Sequence, residues 1–170
     1  MRTITIRTDL YKYDELTEEA KEKAINSLQN LNTDYEWHEH ILTDAGNIGL
    51  KILDWDIERY VNGTFTTSAD EVAESILREH GPQCEMVRTA NGYLEALSEV
   101  KRKCKADNPD EEEWEDFLDT NTIDNDFRRS LCEDYRIMLS KEFDYQTSTE
   151  AIEESIRAND YEFTIKGDFV

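Results

Sequence analysis

The feature that most constrains this chain is its acid excess. Forty Asp and Glu stand against 19 Lys and Arg in 170 residues, a formal net charge of −21 at pH 7. Self-repulsion on that scale must be offset by a core, or the chain stays unfolded. Hydrophobic residues make up only 38%, yet eight Tyr, six Phe and three Trp supply large side chains for packing. At this length a single domain over 1–170 is expected, burying roughly two thirds of its unfolded surface. The charge opposes direct binding to nucleic acid or to an anionic membrane and favours a basic partner. No run approaches the ~18 apolar residues of a membrane span, and residues 1–10 lack the apolar block of a signal peptide. Cys84, Cys104 and Cys132 are odd in number and widely spaced, which argues against a disulfide framework. A soluble intracellular protein is the expectation.

Residue periodicity then orders the chain. Residues 1–8 alternate as a short strand. Leu16, Ala20, Ala24, Leu28 and Leu31 have helical spacing, with Thr17 as N-cap. Trp37, Ile41, Ala45 and Ile48 predict a helix over 33–48, which Gly49 ends in the left-handed conformation. Residues 50–65 read as two strands: Lys51, Leu53, Trp55 and Ile57 alternate with Asp54, Asp56 and Glu58, and Asn62-Gly63 is a hairpin-turn signal. Ser68 and Glu71 form a capping box for a helix carrying Val72, Ala73, Ile76 and Leu77, which stops at Gly81-Pro82. A longer helix follows over 85–105. Asn108-Pro109 opens a short acidic helix with Trp114, Phe117 and Leu118. Phe127, Leu131, Tyr135 and Met138 mark the next helix. A capping box at Thr147 to Glu150 starts the last one, and 161–165 closes the chain as a strand. The resulting class is α+β: a small, mostly antiparallel sheet of about four strands with six or seven helices. The composition shift at 107 suggests sub-lobes, α/β over 1–106 and mostly helical over 107–170.

Few residues form a chemical signature. His38 and His40 are two apart, so on a helix they point about 200° from each other and cannot share a metal. His80 and Cys84 lack a second ligand pair. Asp119 to Asp124 brushes against a calcium loop but lacks its glycine and its closing glutamate. Nucleophile-elbow, P-loop and dinucleotide-binding patterns are absent. No catalytic residue, metal or cofactor is assigned. The densest feature is the stretch 107–126, which holds ten acids and no Lys or Arg. Asp110, Glu111, Glu112, Glu113, Glu115, Asp116 and Asp119 lead it as candidate partner-binding residues, with Trp114, Phe117 and Leu118 to pin it down. Asp54, Asp56 and Glu58 on the hairpin form a second patch. The plain alternative for both is a solvated face. Twenty-one net charges over a domain on the order of 40 Å across make about one per 2 Å, close to the roughly one per 1.7 Å of duplex DNA. Carboxylates also offer Arg and Lys the same salt-bridging that phosphates do.

Three stretches carry a resemblance: Tyr11 to Ile25, Asp34-Tyr-Glu-Trp37 through Ile48 to Ile52, and Asp134 to Glu142 onward to Phe163. Together they resemble small acidic proteins of bacteriophages and mobile elements of gut bacteria, a group similar to anti-CRISPR inhibitors of Cas9-type nucleases. The shared motifs are helix starts and packing stripes. The resemblance implies a cytoplasmic protein of the bacterial host that binds a basic, nucleic-acid-binding defence protein stoichiometrically, as a DNA mimic. Two rivals stand beside it: an antitoxin or anti-restriction binding protein, and a carboxylate- or metal-dependent enzyme.

Overall fold

The computed structural model describes residues 2, 7, 9–107 and 118–170. The strand expected over 1–8 and the acidic helix expected after Asn108 therefore lie outside the described residues, Leu118 excepted. The contacts divide the chain into two units, one built from 1–37 and 141–170, the other from 38–140. The composition shift at 107 falls inside the second.

In the first unit, β1 (Tyr11–Lys12) leads through a single 3-10 turn to α1 (Glu18–Ser27). Thr17 caps α1 by accepting the Ala20 N–H at 3.3 Å. Ala20 and Ala24 form its buried stripe, small enough for α6 (Thr149–Ala158) to approach with Ile152 and Ile156. β4 (Glu162–Phe163) pairs antiparallel with β1, Tyr11 opposite Phe163. Phe163 is fully buried and meets the Tyr13 ring edge-on at 6.3 Å. After β4 the chain turns at Gly167, whose φ of +82° disfavours any side chain. A Cβ there would also run into the Ala20 carbonyl, so glycine answers two needs at once.

The second unit starts with α2 (Glu39–Asn47), whose Ile41 and Ala45, with the cap residue Ile48, are buried. The helix is shorter than the expected 33–48. Trp37 is not on its stripe but packs in the first unit against Phe143, at 5.6 Å. Gly49 takes φ +93°, as its place after a helix implies. β2 (Leu50–Asp56) and β3 (Tyr60–Phe65) form an antiparallel hairpin. α3 (Ala69–Glu79) keeps the expected capping box, with Glu71 accepting the Ser68 N–H at 3.2 Å. α4 (Glu85–Asp107) buries Met86, Val87, Ala90, Tyr93 and Leu97. α5 (Asn121–Gln146) buries Phe127, Leu131, Tyr135 and Leu139, one every four residues. Its Phe127 stacks on Tyr93 at 4.3 Å and meets Phe65 at 5.5 Å, so α4, α5 and the hairpin share one core.

The class is α+β, with six α-helices among the described residues. The β structure differs from expectation: it is two separate two-stranded pieces, β1–β4 and β2–β3, and not one sheet of about four strands. Two other readings are corrected. Ser148, not Thr147, caps α6 by accepting the Ala151 N–H at 3.2 Å, while the Thr147 hydroxyl bonds back to the Phe143 carbonyl at 2.8 Å and closes α5. The hairpin turn lies at 57–59, and Asn62-Gly63 sits inside β3.

Candidate functional site

The hairpin carries the largest set of predicted contact residues that the structure describes. Its register explains how the carboxylates come to face outward. Leu50 pairs with Phe65 and Ile52 with Gly63, but Asp54 pairs with Asn62, so Leu53 is an extra residue in β2. A bulge of this kind switches the faces of everything beyond it. Val61 and Gly63 are buried on β3, and the bulge brings Trp55 opposite Val61 while turning Asp54 and Asp56 to the other side. Without it Asp54 would follow Leu50 and Ile52 inward, where an unpaired charge is costly. Leu53 is left 57% exposed as the consequence.

Gly63 is needed for proximity, not for a turn. A Cβ there would lie 3.0 Å from the Lys51 carbonyl oxygen and 3.1 Å from Leu50 Cδ1. Two guanidinium groups of α5 hold the hairpin by its carbonyls: Arg128 donates to Gly63 and Arg136 to Ile57, each at 3.0 Å. Arg136 also forks onto Glu133, at 2.8 and 2.6 Å, which lowers the Glu133 carboxyl below its ordinary range. These cations are therefore committed to structure.

On the outward face, Tyr60 donates to Asp54 Oδ2 at 2.6 Å, and this bond raises the phenol above its ordinary value. The Glu58 N–H donates to Asp56 Oδ1 at 2.9 Å, and Arg59 stands 3.8 Å from the other Asp56 oxygen. The structure thus brings Asp54, Asp56 and Glu58 to one end of one hairpin. Asp54 and Asp56 project from β2, whereas Glu58 belongs to the turn and not to a strand. Carboxylates two apart on a strand stand about 6.6 Å apart, roughly twice the 3.4 Å rise per phosphate along one DNA strand. Exposed Tyr60 (44%) and Leu53 add apolar area beside them. Neither is evident as a contact residue from the sequence, although an aromatic residue two positions after Glu58 is a usable signal.

Asp119 lies on a different element and is engaged locally. It accepts the Asn121 N–H at 3.0 Å and the Asn121 side-chain amide at 2.8 Å, ahead of α5. Nearby Asp124 takes hydroxyl bonds from Thr120 at 2.7 Å and Tyr93 at 2.8 Å. Acids in these positions favour the positive end of a 26-residue helix, so this part of the acidic stretch has a structural purpose. Asp110, Glu111, Glu112, Glu113, Glu115 and Asp116 lie outside the described residues.

The histidines and cysteines do not converge. His80 Nε2 lies 3.0 Å from Asp44, which also accepts the Tyr135 hydroxyl at 2.7 Å. His38 packs against Trp55 at 5.1 Å. Burial raises the Cys132 thiol, which is not the setting of a reactive thiolate. Among the described residues no group of three His, Cys, Asp or Glu could hold a metal ion, and no helix is long and apolar enough to cross a membrane. No family model, curated protein or solved structure matches the chain.

Proposed function

We propose that this protein binds a basic, nucleic-acid-binding protein stoichiometrically and blocks its nucleic-acid groove with carboxylates. The observation that carries this reading is where the cations go. At least eleven of the 19 Lys and Arg side chains are taken up in ion pairs within the chain, most of them along single helices. More than half of the chain's cations are thus already matched with carboxylates of the chain itself, which favours an acidic contact surface. The hairpin acids give that surface a rigid mount.

A Cas9-type nuclease is the partner that the resemblance to anti-CRISPR proteins implies. Such effectors hold a guide heteroduplex in a positively charged channel and read their recognition motif with arginines. Blocking either requires no chemistry by the inhibitor. The test is target cleavage by several Cas9-type nucleases with the protein added from sub-equimolar to excess. Inhibition saturating near equal molar amounts, and weakening as salt rises above ~0.15 M where surface charges act over about 8 Å, is the expected result. Full inhibition at far below one molecule per nuclease would indicate catalysis and overturn the proposal. Reversing Asp54 and Asp56 to Lys, and separately Glu112, Glu113, Glu115 and Asp116, apportions the contact between the two patches. Asp54 is exposed, and changes at exposed positions usually alter stability by only about ±0.5 kcal/mol.

A further inference from the structure

Between α4 and α5 the second unit keeps an open groove of about 360 Å³. Its floor is the stacked pair Tyr93 and Phe127, ring centres 4.3 Å apart, with half-buried Ile123 beside them. Small residues keep it open, Gly92 and Ala96 on α4 and Ser130 on α5. Glycine in a helix interior is destabilising relative to alanine. Neither a positive φ nor a close neighbour calls for it at Gly92, where a Cβ would meet nothing within 4 Å. The volume falls in the range of small-ligand sites, about 300–1,000 Å³, and an apolar floor with a few polar groups is their usual lining.

The charge around this groove is one-sided. The two charged residues that line it are balanced within their own helices, Arg88 by Glu85 and Asp126 by Arg129 at 3.1 Å. The carboxylates behind the lining are not. Thr89 donates to Asp134 at 2.7 Å, and Tyr93 donates to Asp124 at 2.8 Å. Both acids are half-buried, and among the described residues neither forms an ion pair with Lys or Arg. Burial raises the Asp134 carboxyl, the mark of a negative charge short of compensation.

We propose that this groove binds a small aromatic cation, its planar ring on the Tyr93–Phe127 floor and its ammonium group in the field of Asp134 and Asp124. The ring displaces water from an apolar floor, and the ammonium supplies the charge that the two carboxylates lack. An anion with the same ring meets the opposite field. A cation without a ring gains only charge, which the net −21 offers over the whole surface. The proposal stands apart from the hairpin acids and does not rest on the function proposed above.

The test is calorimetric titration of the full chain at ~0.15 M salt, which screens diffuse attraction to the net charge. Three probes separate ring from charge: tryptamine, indole-3-propionate with a like ring and opposite charge, and butylamine with the charge alone. Tryptamine should saturate a single site at least about tenfold more tightly than butylamine, the effect of burying a ring. Indole-3-propionate should not bind. Gly92→Leu fills the groove and should weaken tryptamine by at least about tenfold. It should not lower the melting temperature, because leucine is the better helix former. Asp134→Asn is the independent check: it keeps an acceptor for Thr89 and the shape of the groove, removes the charge, and should weaken tryptamine as well. Absence of saturable tryptamine binding, equal affinity for either other probe, or undiminished binding by either variant overturns the proposal.

Discussion

The two units of the chain use the same excess of carboxylates differently. In the first, the ties between separate elements are mostly ion pairs at the surface. Lys12 reaches Asp160 and Glu162 at 3.0 and 3.3 Å, Arg157 reaches Asp14 at 3.0 Å, and Lys23 pairs with Asp168. In the second, ion pairs such as Arg102–Glu99 and Arg129–Asp126 run along single helices and join nothing. Besides the Arg128 and Arg136 bonds to hairpin carbonyls, its elements are tied by neutral donors that hand hydrogen bonds to half-buried carboxylates: Tyr135 to Asp44, Tyr93 to Asp124 and Thr89 to Asp134. Burial raises Tyr135 and Tyr93 well above the ordinary phenol value, their carboxylate partners adding to it, and raises the Asp134 carboxyl too. Exposed pairs contribute little and are screened by salt, whereas a buried donor left without its acceptor is expensive. The lesson is that one unit depends mainly on its apolar core and the other on buried polar ties as well. Tyr13, which donates to Glu153 at 3.0 Å, brings a bond of the second type into the first unit.

The largest effect that this contrast predicts lies in the apolar core of the first unit. Phe163 is fully buried among Tyr13, Leu16, Ile152 and Ile156. Phe163→Ala should cost about 3–5 kcal/mol, the usual range for an emptied aromatic site. Hydrogen exchange at the amides of 11–12 and 161–163 should report it directly. A loss no larger than that of an exposed ion pair would mean that the surface pairs, and not the core, hold this unit.

Asp44 probes the other side. It accepts from Tyr135 across 91 residues of chain and faces His80 across 36. Asp44→Ala leaves the buried Tyr135 hydroxyl without an acceptor, at a cost of about 1–3 kcal/mol. Tyr135→Phe removes the donor and leaves Asp44 with His80, so it should cost less, and the double variant should fall short of the sum because the two share one bond. The same bonds predict alkaline sensitivity. Phenols held up in the folded chain bind their protons more tightly there than in the unfolded chain. Their contribution is complete below the ordinary phenol value of about 10 and is lost as pH rises past it toward the folded value. Tyrosinate absorbance and circular dichroism followed together should show Tyr93 and Tyr135 ionising only as the structure is lost. Their free ionisation in an intact fold would contradict these bonds.

What could be read in the sequence follows the range of the interaction. Thr17, and Ser68 with Glu71, act within one helical turn, so their residue types suffice to place two helix starts. Gly49 is legible for the same reason. Gly63 was misread because a glycine required for close approach to Lys51 looks identical in sequence to one required for a turn. Beside Asn62 the turn was the local choice. The bulge at Leu53 was hidden too: strict alternation over Lys51 to Ile57 fits a regular strand, and only the pairing with Val61 and Gly63 reveals the extra residue. Trp37 fits the helical stripe of Ile41 and Ala45 by spacing, but its partner Phe143 lies more than a hundred residues away. For the candidate site, Asp54 and Asp56 were legible as an outward pair, whereas the Tyr60 bond needs the hairpin turn to be placed correctly first. Asp44 carried no signal at all, because one acid among forty says nothing until His80 and Tyr135 are folded around it.

The smallest predicted effect tests the surface pairs of the first unit. Arg157 contacts both Asp14 and Glu153, and its guanidinium lies 5.2 Å from the Tyr13 ring centre. Asp14→Asn removes one charge and leaves Glu153 and the ring in place, so it isolates an exposed pair whose Asp14 side chain is 67% accessible. Pairs of this exposure gain little because water already solvates both partners. The variant should therefore move the stability of the first unit by less than Asp44→Ala moves the second. Raising salt should shrink even that difference, because screening has already removed what the substitution takes away. The measurement is hydrogen exchange in each unit for both variants at low and high salt. An Asp14→Asn effect that equals the Asp44→Ala effect and persists at high salt would show that the exposed pairs carry as much as the buried ties, and the distinction between the two units would fail.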